Sequence, residues 1–285
     1  MPSITDALPD VPRDLRFFPV DNPGPEHLPK HLSVQQIQQF NDLGYVFPLD
    51  VYTADEAAAN RAYFDELMAR ATAAGWDAYS INGWQLRCSG MYDMIVEPRI
   101  LDYVQDLIGE DLICWGAHFF CKMAGDERQV SFHQDSSYWP LTPSKTITVW
   151  LAIDDADLEN GAMTVVPRSH VHGQIAFEHS DAAEKNVLGQ TVIDPDQYGD
   201  PPVPFVMRAG QISLHTDLLL HGSEANLSDR RRCGLTMSFV PPDVRAHKGW
   251  NRNAIICRGG DASGHWPQNP RPEEGDDIPV KQSLA

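Results

Sequence analysis

Two histidines and one aspartate have the types and spacing of a metal site. His133 and Asp135 are separated only by Gln134, and because side chains alternate along a strand, the outer two face the same side. His221 must then reach the same ion from another strand. Two imidazoles and one carboxylate can occupy three adjacent corners of a ferrous ion and leave the others open for oxygen and an organic co-substrate. The set predicts oxidation chemistry.

The strand that carries His221 is also suggested by the sequence. The stretch from Gly210 to His221 has a turn glycine followed by a largely apolar run, which predicts one strand ending at the histidine. His215 lies on the same predicted strand, about 20 Å from His221 along an extended chain. We therefore expect His215 to be too far away to share the ion.

The residues after His221 make the metal prediction specific. Gly222 and Ser223 follow directly, then Asn226, and Arg232 stands eleven residues after the histidine. In this order the chain resembles the phytanoyl-CoA dioxygenase family of iron- and 2-oxoglutarate-dependent oxygenases. The likeness runs from about residue 32 to 265 and includes residues 132–140, 148–155, 159–161 and 166–170. It has two departures: Arg168 replaces a usual glycine, and Glu224-Ala225 replaces a frequent Gly-Pro.

The resemblance implies iron(II), 2-oxoglutarate and O2, with the metal held by His133, Asp135 and His221. Arg232 is the candidate for the distal carboxylate of 2-oxoglutarate, because a planar guanidinium binds a carboxylate through two hydrogen bonds and stays charged. Ser223 could add a hydroxyl to the same carboxylate. Halogenating relatives lack the carboxylate ligand, so Asp135 favours hydroxylation over chlorination.

Other side chains are candidates for the co-substrate and substrate pockets. Thr148 and Trp150 share one strand face and, by resemblance, line the co-substrate pocket, although ordinary core packing is an equal alternative. His118 and Lys122 lie on the same face of one predicted strand, the face expected to point toward the iron. His118 is a candidate contact for the co-substrate and Lys122 for the substrate, and the alternative for each is a structural role. Arg87 is a candidate anion contact. Aromatic side chains suited to a quaternary ammonium group are Tyr79, Trp84, Tyr92, Tyr138 and Trp139.

Helices are predicted before the ligand motifs. The first begins at Ser33 and ends before Gly44, the second runs from Thr53 to about Ala74, and the third from Pro98 to Ile108. From Asp111 onward the sequence changes to short alternating runs such as residues 146–153 and 233–240. This pattern predicts a mainly β fold with flanking α-helices, a double-stranded β-helix of the jelly-roll, cupin-like kind. The family resemblance implies the same fold.

The chain is expected to form a single oxygenase domain over residues 1–285. It comprises an N-terminal arm (1–31), a mainly helical support (32–110), a jelly-roll core (111–240) and a C-terminal extension (241–285). Within the core, residues 171–205 are rich in acidic residues and prolines. A connection of this length predicts a lid over the substrate, with a disordered surface insertion as the alternative.

Composition narrows the partners and the compartment. Forty acidic residues against 22 Lys plus Arg give a formal charge of -18, so we expect repulsion to disfavour nucleic acid and anionic membranes. The five cysteines are scattered without a Cys-X-X-Cys pair, which fits a reducing cytoplasm. The first ten residues lack a basic start and an apolar core, so no targeting signal is predicted. The oligomeric state is left open.

The function predicted is hydroxylation of an unactivated C–H bond in a small polar metabolite, such as an amino-acid-like, quaternary ammonium or phosphonate compound. The segment from Arg258 to Trp266 resembles bacterial members that oxidise such compounds, and no basic patch awaits the phosphates of CoA. Alternatives within the class are hydroxylation, desaturation or rearrangement of a natural product or an acyl-CoA. Alternatives of other classes are a zinc metallohydrolase, which has no need of Arg232, and a non-catalytic jelly-roll binding protein.

Overall fold

Helix boundaries follow the capping residues that the sequence predicts. The computed structural model describes residues 12–21, 29–273, 275–279 and 281, with the helices α1 (Val34–Leu43), α2 (Ala54–Ala73), α3 (Ser89–Ile95) and α4 (Pro98–Ile108). Ser33 and Thr53 each accept a hydrogen bond from the backbone N–H three residues later. Gly44 ends α1 in the left-handed conformation, with a φ of 88°. The three predicted helices are confirmed.

Helix α3 was not predicted. Its N-cap, Cys88, makes no side-chain capping hydrogen bond, so no start signal marks it in the sequence. Among the described residues, no helix is both long and apolar enough to cross a membrane.

Most of the regular structure outside the helices consists of antiparallel strands. In chain order they are β1 (Tyr45–Asp50), β2 (Leu112–Lys122), β3 (Val130–His133), β4 (Leu141–Thr142), β5 (Ile147–Ala152), β6 (Thr164–Val165), β7 (Glu178–His179), β8 (Gln190–Thr191), β9 (Val203–Pro204), β10 (Gln211–Thr216), β11 (His221–Ser223), β12 (Arg232–Val240), β13 (Arg245–Ala246) and β14 (Ile255–Arg258). One sheet has the order β1-β10-β5-β12-β2-β14, and a second has the order β3-β11-β6-β9. The predicted mainly β jelly roll with flanking helices is confirmed.

The two faces of the larger sheet build two different cores. Odd-numbered side chains of residues 147–153 and 233–239 belong to the buried cluster that includes Phe64 and Leu67 of α2. Trp150 and Ala152 point the other way and pack with Val165 of the smaller sheet. The predicted strand faces are therefore confirmed. Helices cover one face of the larger sheet, and the smaller sheet covers part of the other.

The stretch from Gly210 to His221 is not one strand, so that prediction is wrong. Strand β10 ends at Thr216 in the larger sheet, and after a turn at residues 217–220 strand β11 begins in the smaller sheet. The turn lets the chain cross from one sheet to the other. The ring centroids of His215 and His221 are consequently 5.1 Å apart, instead of the about 20 Å that a continuous strand would impose.

The predicted lid, residues 171–205, has its own contacts with the core. It contains the two-stranded β7-β8 sheet, the edge strand β9 and short 3-10 turns. Ile175 and Val192 are buried in one cluster with Val166 and Leu220. These contacts hold the segment against the jelly roll, and its action as a lid stays a prediction.

Both ends of the chain lie against the jelly roll. Residues 1–11 and 22–28 of the predicted arm lie outside the described residues. Arg13 donates from Nη1 to the backbone oxygens of Ser136 and Trp139, at 2.9 and 2.8 Å. In the predicted C-terminal extension, β14 joins the larger sheet beside β2, and Trp266 donates to the backbone oxygen of Val244 at 3.1 Å. The organisation as a single domain stays a prediction.

Candidate metal and co-substrate site

His133, Asp135 and His221 bring one ligand atom each to within 4.8 Å of one another. His133 ends β3, His221 begins β11, and the two residues pair across the smaller sheet. Asp135 begins a 3-10 turn just after β3 rather than continuing the strand. Its Oδ1 still lies 3.6 Å from Nε2 of His133 and 3.7 Å from Nε2 of His221. Atoms bound to one ion at about 2.1 Å can be at most about 4.2 Å apart, so these distances fit a shared metal.

Hydrogen bonds orient the two histidines of the triad, and burial and charge shift the pKa values of His221 and Asp135. Nδ1 of His133 donates to the backbone oxygen of Ser131 at 2.8 Å, and Nδ1 of His221 donates to that of Leu219 at 3.0 Å. A carbonyl only accepts, so the lone pair is left on Nε2. Burial lowers the pKa of His221 to about 4. Burial acts to raise the pKa of Asp135, but the two histidines outweigh it and bring that pKa to about 2. Neutral imidazole and ionised carboxylate are the ligating forms.

Thr148 and Trp150 of β5 lie beside the triad, as predicted. Thr148 Oγ1 donates to Oδ2 of Asp135 at 3.3 Å, a contact that helps to orient the carboxylate. The Trp150 ring centroid is 5.8 Å from the guanidinium carbon of Arg232. A Cβ at Gly234 would come within 2.1 Å of this ring, so the absence of a side chain there lets the indole lie against β12.

Arg232 is a buried cation without a carboxylate partner among the described residues. Its side chain is 3% exposed, and Nε and Nη2 donate to the backbone oxygen of Gly161 at 3.1 and 2.8 Å. Nη2 also donates to Oγ of Ser223 at 3.3 Å. Burial lowers the pKa of Arg232, yet an arginine keeps its charge at physiological pH. Its Nη1 donates to no described residue, which leaves one edge of the guanidinium for an anion.

Arg232 and Ser223 are correctly spaced from the triad for 2-oxoglutarate. Ser223 is two residues from His221 on β11, which corresponds to about 7 Å. A five-carbon dicarboxylate spans a similar length between its keto-acid end and its distal carboxylate. The residues present therefore fit a co-substrate that reaches from the metal to the free edge of Arg232.

Lys122 and His118 line the same cavity from β2, but their polar atoms are already engaged. Nζ of Lys122 donates to the backbone oxygens of Arg128 and Ser223, each at 3.2 Å, and makes a further short contact with that of Glu224. Nε2 of His118 donates to the backbone oxygen of Tyr79 at 2.8 Å. An ammonium has three N–H donors, so Lys122 braces the loop after His221. The direct contacts of Lys122 and His118 with a ligand stay predictions.

A cavity of about 340 Å³ extends from the triad between the two sheets. It brings together most of the candidate residues, including Tyr79, Tyr138 and Trp139. Three candidates, Arg87, Tyr92 and Trp84, do not line it. Arg87 instead forms an ion pair with Asp277 at 2.5 Å, and Tyr92 packs at the edge of the helix-covered core. Neither side chain reaches the cavity, and their selection as substrate contacts is corrected.

Trp84 is a second aromatic candidate that the fold directs elsewhere. It is buried in the helix-covered core, where its ring meets that of Trp76 with centroids 5.7 Å apart. Residue type alone could not separate it from Tyr79, which stands five residues earlier and reaches the cavity.

Sequence reasoning missed several cavity residues, which come from every part of the fold: Asn82, Trp115, Gly116, Phe120, Met163, Leu188, His215, Ser238 and Trp250. Gly116 and Phe120 share the parity of His118, so strand alternation could have identified them. Trp250 lies in the C-terminal extension, and no motif marks it. The expected separation of about 20 Å between His215 and His221 is wrong, because the turn before His221 folds the chain back, but among the described residues His215 is not one of the three whose ligand atoms cluster.

The comparisons with known proteins agree with this geometry. The sequence model of the phytanoyl-CoA dioxygenase (PhyH) family matches residues 40–234, more than half of the chain. The chain belongs to this family. A phytanoyl-CoA dioxygenase domain-containing protein 1 homolog of Dictyostelium discoideum is 30% identical over 117 residues, 40% of this chain and 42% of that protein. The peroxisomal phytanoyl-CoA dioxygenase of Bos taurus is 27% identical over 155 residues, 53% of this chain and 45% of the relative. The matches thus span less than half the length of these relatives.

Solved structures extend the family likeness to the whole jelly roll. The non-heme monooxygenase ThoJ is 27% identical with a TM-score of 0.71, covering 84% of this chain and 88% of that one. EctD from S. alaskensis with bound Fe is 19% identical with a TM-score of 0.65, covering 84% and 87%, and shows the fold alone. Phytanoyl-CoA dioxygenase family membership and the likeness to ThoJ support the expected class of iron- and 2-oxoglutarate-dependent oxygenase.

One departure from the family pattern now has a structural explanation. Arg168 stands where glycine is usual in the phytanoyl-CoA dioxygenase family, and its φ is 70°, in the left-handed region. Glycine adopts that conformation at little cost. Nε of Arg168 donates to Asp200 at 3.0 Å, so here the turn is held by an ion pair instead.

Proposed function

We propose that this chain is an iron(II)- and 2-oxoglutarate-dependent oxygenase that hydroxylates a small metabolite. The observation that carries the proposal is the buried Arg232 with a free guanidinium edge. Its Nη2 donates to Ser223, which stands two residues after His221 of the two-histidine, one-carboxylate triad. A zinc metallohydrolase would use the triad but has no use for such an arginine. A binding protein without catalysis needs neither feature.

The side chains divide the work. His133, Asp135 and His221 would hold the ion, Arg232 and Ser223 would hold the distal carboxylate of 2-oxoglutarate, and Thr148 keeps Asp135 oriented. When bound, iron and 2-oxoglutarate supply the oxidising chemistry that uses O2 to convert C–H to C–OH. The carboxylate of Asp135 occupies the position that halogenating relatives leave for chloride, which supports hydroxylation.

The cavity favours a small substrate. About 340 Å³ suits a metabolite, and a whole acyl-CoA would extend far outside it. The cationic side chains that line it among the described residues are Lys122 and Arg232, both at the end of β2 and β12 that we assign to the co-substrate. A phosphonate would therefore find little positive charge near the remaining walls.

Five cysteines without disulfide partners agree with a cytoplasmic location.

Succinate formation tests the proposal. Purified protein is supplied with iron(II), 2-oxoglutarate and O2, and succinate is measured with each component withheld in turn. We expect succinate only with all three. His133→Ala should abolish it by removing a ligand, whereas the control His172→Ala changes an exposed histidine outside the cavity and should leave it intact.

Two results would overturn the oxygenase function. One is the absence of succinate from the wild-type protein under all conditions, and the other is unchanged turnover in His133→Ala. Iron binding by the same variants, followed by metal analysis after gel filtration, gives a readout that does not depend on turnover.

A further inference from the structure

A wall of three indoles closes the part of the cavity opposite the co-substrate end. Trp115 of β2 has its ring centroid 4.8 Å from that of Trp139 and 5.7 Å from that of Trp250. Centroids this close mean that the rings contact one another, because aromatic pairs in contact lie about 4.5–7 Å apart. Trp139 meets Trp115 edge to face, with an interplanar angle of 73°, and Trp250 is tilted by 37° to Trp115, so the three indoles form one joined aromatic corner.

A β-bulge turns Trp115 toward the cavity. Ser238 of β12 pairs with Gly116, but the next residue, Phe239, pairs with Cys114, so Trp115 is the extra residue of β2. Without the bulge, the Trp115 side chain would lie on the same face of β2 as Ala117 and Phe119. That face is buried beneath the helices. Bulges recur beside active sites because they redirect a side chain in this way.

Gly116 and Ser238 form a floor next to the wall. A Cβ built on Gly116 would meet nothing within 4 Å, so the missing side chain leaves open space in the cavity. Ser238 Oγ has no hydrogen-bond partner in the part of the chain that the structure describes, and the residue lines the same space. The floor thus offers room for a flat group and one free hydroxyl.

The floor lies within reach of the metal. Across the larger sheet, Thr148 pairs with Ser238, and Ser238 pairs with Gly116. Strands are about 4.8 Å apart, so Ser238 and Gly116 lie about 5 and 10 Å from Thr148, whose hydroxyl donates to the ligand Asp135. A ring placed over this floor would present its edge to the metal.

We propose that Trp115, Trp139 and Trp250, with Gly116 and Ser238, form a subsite for a planar, unsaturated ring that carries a polar substituent able to bond to the Ser238 hydroxyl. The proposal rests on the oxygenase function, because it takes this cavity as that enzyme's substrate site. It narrows the expected small polar metabolites to those with such a ring. Indoles set at these angles offer a planar π system both a stacked and an edge-to-face contact, and a puckered saturated ring of equal size can make neither.

Two neutral amides of matched polarity test the shape preference. Benzamide has a planar ring, cyclohexanecarboxamide has a puckered ring, and both carry the same carboxamide. Dissociation constants are measured by ligand-observed NMR with the full chain, without iron or 2-oxoglutarate, so that the result is independent of turnover. We expect benzamide to bind about fivefold more tightly. Choline serves as the cation probe and should bind more weakly than benzamide.

Substitutions then locate the subsite. Trp139→Leu keeps an apolar side chain but removes the aromatic ring, so it should erase the preference between the two amides. Gly116→Leu should block both, because its side chain would grow into the cavity. Ser238→Ala should weaken both amides by about threefold, since it removes one neutral hydrogen bond. The control Gly260→Leu also adds a side chain where a Cβ meets nothing within 4 Å, but outside the cavity, and should bind both amides as the wild type does.

Specific results would overturn the subsite: no saturable binding of benzamide, equal affinity for the two amides, tighter binding of choline, or unchanged binding in folded Gly116→Leu. Retained circular dichroism in each variant distinguishes lost binding from lost folding. The succinate assay of the wild-type protein judges the oxygenase function separately. An absence of succinate with a clear preference for benzamide would overturn that function and leave the ring subsite standing.

Discussion

Three successive arginines at the start of β12 have three different sets of partners. Arg230 is paired with Asp157 and Glu159 at the surface. Arg231 points to the helix side and is paired with Asp154 and Asp65. Arg232 turns to the cavity and has no carboxylate partner among the described residues. A buried cation without a counter-charge is costly, which indicates that a ligand supplies the missing carboxylate.

Replacing Arg232 by glutamine is expected to weaken 2-oxoglutarate specifically. The loss of a charged hydrogen bond of about 2 kcal/mol corresponds to an increase in the KM for 2-oxoglutarate of about 30-fold. Steady-state succinate formation at varied 2-oxoglutarate measures it. Arg230→Gln removes a surface cation two positions earlier and should leave KM unchanged. Equal KM values in the wild type and Arg232→Gln would refute the assigned role.

Among the structural elements, a helix start depends on residues close to it in sequence, whereas the conformation of a strand depends on the distant strand with which it pairs. The capping box of Thr53 and Glu56 lies within four residues, so α2 can be located from sequence. Glu56 also pairs with Arg99 of α4, which ties the two helices together. The bulge at Trp115 exists only because β2 and β12 pair in one register.

Removing the cap of α2 is expected to destabilise the protein. Thr53→Ala deprives the backbone N–H of Glu56 of its acceptor and should lower the free energy of unfolding by about 1 kcal/mol. Urea denaturation followed by circular dichroism measures the change. The control Thr72→Ala replaces an exposed threonine within the same helix, where alanine has the higher helix propensity, and should be neutral or slightly stabilising. A cap variant as stable as the wild type would contradict the prediction.

For the whole molecule, the buried Asp217 couples stability to pH. Burial raises the pKa of Asp217 from its ordinary value of 3.8 to about 7, although Ser144 donates to it at 2.6 Å. Between pH 4 and 7 the folded state keeps a proton that the unfolded state releases. The contribution of the Asp217 carboxyl to the free energy of unfolding is therefore complete below pH 4 and is lost as the pH rises through 7.

Asp217→Asn should remove this pH dependence while keeping an acceptor for Ser144. We expect the Tm of metal-free protein to rise by about 4 °C at pH 8 and to change little near pH 4. Calorimetry at both pH values measures the difference. Asp243→Asn, which changes an exposed carboxylate paired with Lys145, should shift Tm little at either pH. A Tm increase for Asp217→Asn of the same size at both pH values would rule out titration of this carboxyl as the cause.

The sequence by itself determined the candidate ligands, the capped helices, the strand faces and the family. Each of these depends on residues a few positions apart, such as His133 with Asp135 or Ser33 with its helix, or on a motif of fixed spacing such as His221 with Arg232. Local geometry fixes such relations before the chain folds.

Only the tertiary structure decided which side chains surround the site. The turn before His221 brought His215 to the triad, the bulge at β2 turned Trp115 inward, and the C-terminal segment supplied Trp250. Tyr92 was placed on the opposite side of the larger sheet. The physical reason is that strand pairing and register are set by contacts between distant parts of the chain, and shifting one strand by one residue exchanges its two faces.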